Sequence, residues 1–404
     1  MNCRFCKVEL KDVFVNLINS PASNSYLTKE QLDEPEVFYP LKIYVCESCK
    51  LVQIDEYKKS DDIFDKDYAY FSSYSSSWLT HAKSYVEKVT EKFSLTETSM
   101  VTEIASNDGY LLQYFQEKNI PCIGIEPTGS TAKVAKEKGI EVIEDFFDSS
   151  LAKNLKKSDL ILGNNVLAHV PDINNFVKGM KIALKNTGTI TMEFPHLLNI
   201  IKENQFDTIY HEHFSYLSFY TVQQIFEAQG LKLYAVEKLS THGGSLRIYA
   251  THLENDDCKV EKNVQDLLDE EESFGLLDMK IYQNFQEKAD KVKYEIISFL
   301  INVKKEGKKV VAYGAAAKGN TLLNYAGIKN DLIEFVVDKS PHKQGKYLPA
   351  SHIPIVDESK IKEYKPDYIL ILPWNIKDEV MSQLEYVKEW NGQFVVAVPK
   401  LIIV

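Results

Sequence analysis

The sequence predicts an α/β protein of three parts: a small cysteine-tied module over residues 1–66, an open-sheet domain over 67–254, and a second open-sheet α/β domain over 255–404. Three observations predict it. Two Cys-x-x-Cys pairs stand near the N-terminus, at Cys3/Cys6 and Cys46/Cys49. From Met100 short apolar strands alternate with helical segments, and a second alternation of the same kind begins at Lys309. A chain of 404 residues also exceeds one ordinary core, so two or three domains are expected.

Composition narrows the function classes. Hydrophobic residues at 44% and charged residues at 26% match a packed globular chain and argue against disorder. A formal net charge of -11 repels a phosphate backbone, and no Lys/Arg cluster offsets it, so nucleic acid is not an expected partner. No basic start followed by an apolar run marks a secretory signal, and no segment reaches the roughly 18 apolar residues of a membrane span. Six cysteines without an export signal point to a reducing compartment, hence the cytoplasm. The absence of heptads favours a monomer.

In the first part, 41–45 reads as a strand. Residues 67–78 are dense in hydroxyls and aromatic rings and read as a linker or lid, leading into a helix over 79–93. The first open sheet is expected to hold strands at 100–105, 122–126, 141–143, 160–164 and 189–194. A helix over 221–229, stopped by Gly230, then precedes two strands, 232–238 and 245–251, close enough to pair antiparallel. The Pro-free, charged stretch 255–306 has helical spacing and predicts one or two long helices. Strands at 309–314, 333–338, 368–372 and 394–398 build the second sheet, and the apolar end 401–404 reads as a buried strand.

Cys3, Cys6, Cys46 and Cys49 offer four soft thiolates, with 39 residues between the pairs. A tetrahedral set of four thiolates suits Zn²⁺, and with every position a thiolate no site is left for a reactive water, so the zinc is expected to be structural. Four buried free thiols, or an iron–sulfur cluster, are the alternatives. Cys122 and Cys258 read as unligated thiols.

The run 101–112 reads as strand, tight polar turn and helix start, and such a turn lies at the carboxyl edge of an open sheet, where ligands bind. There Glu103 and Asp108 are placed to meet a cationic ligand, Gly109 to permit close backbone approach, and Ala105 and Asn107 to line the turn. A carboxylate-rich turn disfavours pyrophosphate. Glu126, at the end of the second strand, suits two ribose hydroxyls; Asp145 and Phe146 supply a carboxylate and a ring for adenine; Asn164 closes the fourth strand on the same edge. Singly, Asp145 and Phe146 would more often be a surface acid and a core aromatic. Together these residues point to S-adenosylmethionine.

After the fifth strand, 206–218 concentrates Tyr210, His211, Glu212, His213 and Tyr216 in one loop. His-x-His could bind metal, but no third ligand stands at a recognisable spacing. Acid–base work fits better, since imidazole titrates near neutrality and Glu212 could orient it. His169 follows the fourth strand at the same edge, either facing substrate or bonding to local backbone.

With these residues in hand, the chain resembles the sugar-nucleotide C-methyltransferases over essentially its whole length. The resemblance rests on the four-cysteine module, the Glu-Ile-Ala-Ser-Asn-Asp-Gly turn at 103–109, the Tyr-His-Glu-His run at 210–213 and the Gly-Ala-Ala-Ala-Lys-Gly turn at 314–319. It implies a central Rossmann-like class I methyltransferase domain and methylation of a nucleotide-linked 4-keto-6-deoxysugar, usually at C3. It also implies His213 as the base, with Glu212 and Tyr210 as orienting or donating partners and His169 on the substrate side. Tyr70 and Tyr74 are expected to contact sugar or donor, or else to pack. Lys318, beside a small-residue turn whose amides suit a phosphate, is expected to meet the nucleotide diphosphate. A nicotinamide site, with Asp338 on its ribose, competes for that turn. Arg247, in the His-Gly-Gly-Ser-Leu-Arg run at 242–247, is expected to reach substrate or to pair within its strand. Methylation of a sugar oxygen or nitrogen, and a non-catalytic zinc-containing nucleotide-binding protein, are the alternative readings.

Overall fold

Apolar and polar residues alternate through the N-terminal strands, and the alternation sets which face is buried. In β2 (Tyr39–Val45) Leu41, Ile43 and Val45 are buried while Lys42 and Tyr44 between them are half-buried. The computed structural model describes residues 1–59 and 71–404, and among these the chain forms three sheets. Tyr70 lies outside the described residues.

The N-terminal sheet is antiparallel, ordered β1 (Asp12–Ser20), β2, β3 (Val52–Ile54) and β9 (Ser215–Tyr216). Its last strand therefore comes from the central part of the chain, immediately after the Tyr-His-Glu-His run. Two residues carry no periodicity, so nothing in the local pattern marks a strand there.

The central sheet has β4 (Val101–Ile104), β5 (Cys122–Ile125), β6 (Glu141–Ile143), β7 (Ser158–Asn164), β8 (Leu184–Pro195), β10 (Leu231–Leu239) and β11 (Ser245–His252), in the order β10-β11-β8-β7-β4-β5-β6. The first five of these strands run parallel, and β11 and β10 close the sheet as the expected antiparallel pair. All four residues of β4 and all eight of β11 are buried, as befits strands covered on both faces. Chain order reverses between β4 and β7, which opens a crevice at their carboxyl ends.

The C-terminal sheet has β12 (Val310–Tyr313), β13 (Val336–Val337), β14 (Ile355–Val356), β15 (Tyr368–Ile371), β16 (Gln393–Val396) and β17 (Ile402–Ile403), ordered β14-β13-β12-β15-β16-β17. It too reverses direction of growth, between β12 and β15. The apolar end is a strand but not a buried one. It pairs antiparallel with β16 at the sheet edge, where one side has no covering layer, and Ile403 is 45% exposed. Residues 255–306 form three helices, Lys262–Phe274, Lys280–Gln283 and Phe285–Lys305, the first stopped by Gly275 at φ 98°.

The helix Phe285–Lys305 buries Phe285, Ala289, Val292, Ile296, Leu300 and Val303 along one stripe. Phe14 of β1 stacks on Phe285 at 4.4 Å, so the N-terminal sheet and the C-terminal domain share one apolar core. Each large side chain in it contributes about 1.5–3 kcal/mol. On its other side the cysteine module packs into the core of the central sheet through Leu10 and Leu51. No helix among the described residues is long and apolar enough to cross a membrane.

Candidate active site and metal centre

The two cysteine pairs occupy matching turns. Cys3 N–H donates to the Val8 carbonyl and Lys7 N–H to the Cys3 carbonyl; Cys46 N–H donates to Leu51 and Lys50 N–H to Cys46. Lys7 and Lys50 both have positive φ, 66° and 61°. The four sulfurs lie within 4.8 Å of one another, with Cys3–Cys49 and Cys6–Cys46 each at 3.5 Å. A tetrahedron with Zn–S bonds of about 2.3 Å has edges of about 3.8 Å, so this donor set fits zinc.

What surrounds the sulfurs ties them to the rest of the site. Gln53 Nε2 donates to Cys3 Sγ at 3.2 Å, and Gln53 Oε1 accepts from Arg4 N–H at 2.8 Å. The Arg4 guanidinium donates to the Ile54 and Pro171 carbonyls. Thr221 Oγ1 donates to the Cys49 carbonyl at 3.0 Å. The module thus grips the loop bearing His169 and the helix Phe219–Ala228.

The two sheet crevices face each other across one cavity of about 580 Å³. From the central sheet its wall takes Ala105 and Asn107 after β4, Glu126 after β5, Asp145 and Phe146 after β6, Asn164 at the end of β7 and His169 after it. Tyr210, Glu212, His213 and His242 continue it, and Lys318, Lys343 and Asn375 close it from the C-terminal domain. Asn24 enters from the N-terminal module.

On the donor side, Glu126 is buried and accepts from Asn107 N–H and Thr128 N–H, each at 2.9 Å. Burial still leaves its pKa raised. Asn164 Nδ2 is buried with no hydrogen-bond partner among the described residues. Phe146 is 38% exposed at the cavity, so its ring face is open to a base. Three residues of the expected set stand elsewhere. Glu103 is fully buried behind the wall, and burial, with Glu126 and Asp108 adding, drives its pKa well above the carboxylate range. Asp108 is buried and accepts from Ser73 Oγ, while Asn107 Oδ1 accepts from Ser72 N–H at 2.9 Å; this pair clasps the described part of the linker. Gly109 serves packing rather than ligand approach: at φ 73° its absent Cβ would lie 2.4 Å from Ile140.

On the reacting side, His213 Nδ1 lies 2.9 Å from the Thr208 carbonyl oxygen. A carbonyl only accepts, so Nδ1 carries the proton and Nε2 keeps its lone pair. Tyr210 packs on the ring at 4.0 Å and His169 meets it edge-on at 4.7 Å. Burial first, then His169, hold the His213 pKa well below the ordinary imidazole value. Burial likewise puts His169 at about 4, a hydrogen bond to the Glu212 backbone opposing it. The imidazole is held by the Thr208 carbonyl, while the two carboxylate oxygens of Glu212 accept from Asn24 Nδ2 at 2.7 and 2.9 Å.

Lys318 Nζ donates to Asn375 Oδ1 at 3.2 Å and lies 4.7 Å over Trp374; burial lowers its pKa. Lys343 donates to the Ala315 carbonyl at 2.8 Å and pairs with Asp338 at 3.5 Å. Asp338 also accepts from Ala315 N–H and Ser340 N–H, so its oxygens serve the turn rather than a ribose. Arg247 does not reach the cavity: its guanidinium is buried against Glu193 at 2.7 Å and Glu237 at 3.6 Å, because its strand is central. Tyr74 is also off the wall, 60% exposed, with its hydroxyl 3.1 Å from His342 Nε2. Sequence reasoning missed Asn24, His242 as a wall residue, Lys343 and Asn375. Only His242 carried a signal, its place beside two glycines.

Three family profiles match the chain: a zinc binding domain over residues 3–64, a methyltransferase domain over 78–236, and a C-methyltransferase C-terminal domain over 240–399. The C-methyltransferase NovU of Streptomyces niveus is 32% identical over 402 residues, covering 98% of this chain and 95% of that protein. Among solved structures, magnesium protoporphyrin IX methyltransferase from Synechocystis PCC 6803 with bound SAM is 13% identical, covering 43% of this chain and 79% of that one, with a TM-score of 0.34. A SAM dependent methyltransferase from Archaeoglobus fulgidus is 16% identical, covering 43% and 93%, with a TM-score of 0.36.

Proposed function

The chain belongs to the C-methyltransferase family, and from that premise we propose that its acceptor is a nucleotide-linked 4-keto-6-deoxysugar methylated at C3 through an enolate. Membership makes it an S-adenosylmethionine-dependent methyltransferase with a zinc-binding N-terminal module. The observation that carries the enolate reading is the state of His213: neutral, its proton fixed on Nδ1 by Thr208, its Nε2 lone pair left for the cavity.

A carbon acid beside a ketone needs such a base and needs donors near the developing oxyanion. In the proposed step the C3–H bond breaks, its proton goes to His213 Nε2, and the bonding pair forms the C3–C4 double bond while the carbonyl π pair moves to oxygen. Bound S-adenosylmethionine supplies an electrophilic methyl group on a sulfonium. C3 of the enolate would take that methyl group, with the ketone restored and the sulfur leaving as a neutral thioether. Tyr210 packs against the imidazole and His169 meets it edge-on, both on the cavity wall. Ala105, Asn107, Glu126, Asp145, Phe146 and Asn164 would hold the donor. Lys318 and Lys343, two cations on the C-terminal wall of an acidic protein, suit a nucleoside diphosphate.

The test is solvent exchange. Incubated in D2O with a panel of nucleoside-diphosphate 4-keto-6-deoxyhexoses and no methyl donor, the enzyme should wash deuterium into C3 of its substrate. His213→Gln should abolish this. Methyl transfer to oxygen or nitrogen without exchange would reject the enolate.

A further inference from the structure

The turn 241–244 takes no part in the steps above, yet its backbone is held from several sides. His242, Gly243 and Gly244 have φ of 52°, 85° and 113°, three left-handed residues in a row. For the histidine, unlike the glycines, this backbone is disfavoured. Neighbours hold the turn in place: Thr241 Oγ1 donates to Glu193 at 2.8 Å, Gln205 Nε2 to the Gly243 carbonyl at 2.8 Å, and His196 N–H to the Gly244 carbonyl at 3.0 Å. A Cβ at Gly243 would lie 2.4 Å from Trp374. Strain maintained in this way points to function. Its effect is to put the His242 imidazole on the cavity wall with His213 and Lys318.

The ring's state follows from its neighbours. Asn165 Nδ2 lies 2.9 Å from His242 Nε2, and an amide nitrogen donates, so Nε2 accepts and the proton sits on Nδ1. Trp78 meets the ring edge-on at 5.2 Å. Burial, with Lys318 beside it, takes the imidazole down to about 4, so it is neutral near pH 7. A neutral imidazole N–H is a competent donor to an oxygen gathering negative charge.

Direction matters as well. The C3–H bond must stand out of the carbonyl plane to be removed, whereas the oxygen lone pairs lie in that plane. A base and an oxyanion donor must therefore approach the substrate from different directions. His213, His169 and Tyr210 cluster together; His242 lines the same cavity from another segment, the turn before β11, beside Asn165 after β7.

We propose that His242 is a further catalytic residue, donating its Nδ1–H to the ketone oxygen of the acceptor as C3 is deprotonated. This rests on the enolate reading. His242 keeps its proton throughout, so the balance of the step is unchanged.

Two measurements test it. In the intact protein labelled with 15N-histidine, His242 should show the neutral Nδ1–H tautomer; an Nε2–H tautomer overturns the proposal. In D2O, on the panel sugar that wild type exchanges fastest, His242→Asn should slow exchange about 100-fold with S-adenosylmethionine affinity unchanged. Asparagine tolerates the left-handed backbone. Asn165→Asp, whose carboxylate draws the proton to Nε2, should slow exchange comparably and decides the matter if His242→Asn does not fold. Wild-type exchange rates in either folded variant overturn the role of His242 alone. A wild type inert across the panel overturns the enolate reading and this inference with it.

Discussion

Gln53 lies opposite Ser215 in the β3–β9 pair, and its side chain donates to Cys3 Sγ at 3.2 Å. One residue thus joins a zinc ligand to the strand that begins two positions after His213. Next to it, Ile54 N–H donates to the Phe214 carbonyl at 3.2 Å. The cysteine module thus contacts the segment that follows His213 directly.

Gln53→Ala should therefore leave zinc content, read by elemental analysis, at one ion per chain while lowering methyl transfer about 10-fold or more, the usual size for loss of a partner behind a metal ligand. Cys46→Ser should lose zinc, thermal midpoint and turnover together. A Gln53→Ala enzyme with wild-type turnover would mean that the zinc serves stability alone.

The pH profile follows from His213. A base works unprotonated, and burial with His169 lowers its pKa, so the group is active above that lowered value and is lost as pH falls through it. Between about pH 6.5, the ordinary imidazole value, and 7.5 the base contributes no change to kcat/KM. The acid limb should lie below about 6.5, and a limb centred above that would exclude His213 in this state.

Asn24 holds both oxygens of Glu212 from a different part of the chain, and the Tyr26 hydroxyl ties the same loop to the Ala315 carbonyl at 2.6 Å. Hydrogen bonds to a charged group contribute about 1.5–3 kcal/mol. Asn24→Ala is expected to reduce kcat about 10-fold to 100-fold with donor affinity, measured by calorimetry, intact. Asn24→Asp, facing a like charge, should be worse.

Asp108 and Asn107 clasp Ser72 and Ser73, and Ser72 lines the cavity. Asp108→Ala should release this segment and weaken S-adenosylmethionine binding about 10-fold, roughly one charge-assisted hydrogen bond. Unchanged affinity in calorimetry would show that the clasp does not shape the donor site.

The readable features are those whose signal is local. Both parallel sheets announced themselves as apolar runs, and the cysteine spacing carried the metal set because each pair makes its own turn. The cavity's polar wall is legible only where a motif marks it. Asn24 and Lys343 are ordinary loop residues until the fold brings them to Glu212 and Ala315, 188 and 28 positions away. Arg247 misled for the converse reason: a motif-borne cation reads as a ligand contact, but a central strand forces it to find acidic partners inside. Glu103, likewise on a strand buried throughout, does not line the cavity that Ala105 and Asn107 line.

The borrowed strand β9 also orders events in time. On a ribosome β3 emerges first, and residues 55–214 must follow before Ser215 and Tyr216 can pair with it. The cysteines can gather their metal early, yet the sheet beside them keeps an open edge until the central domain is nearly made. Completion of the N-terminal sheet and placement of His213 are then one event, so a chain stalled before residue 215 holds a finished metal knuckle and no working site.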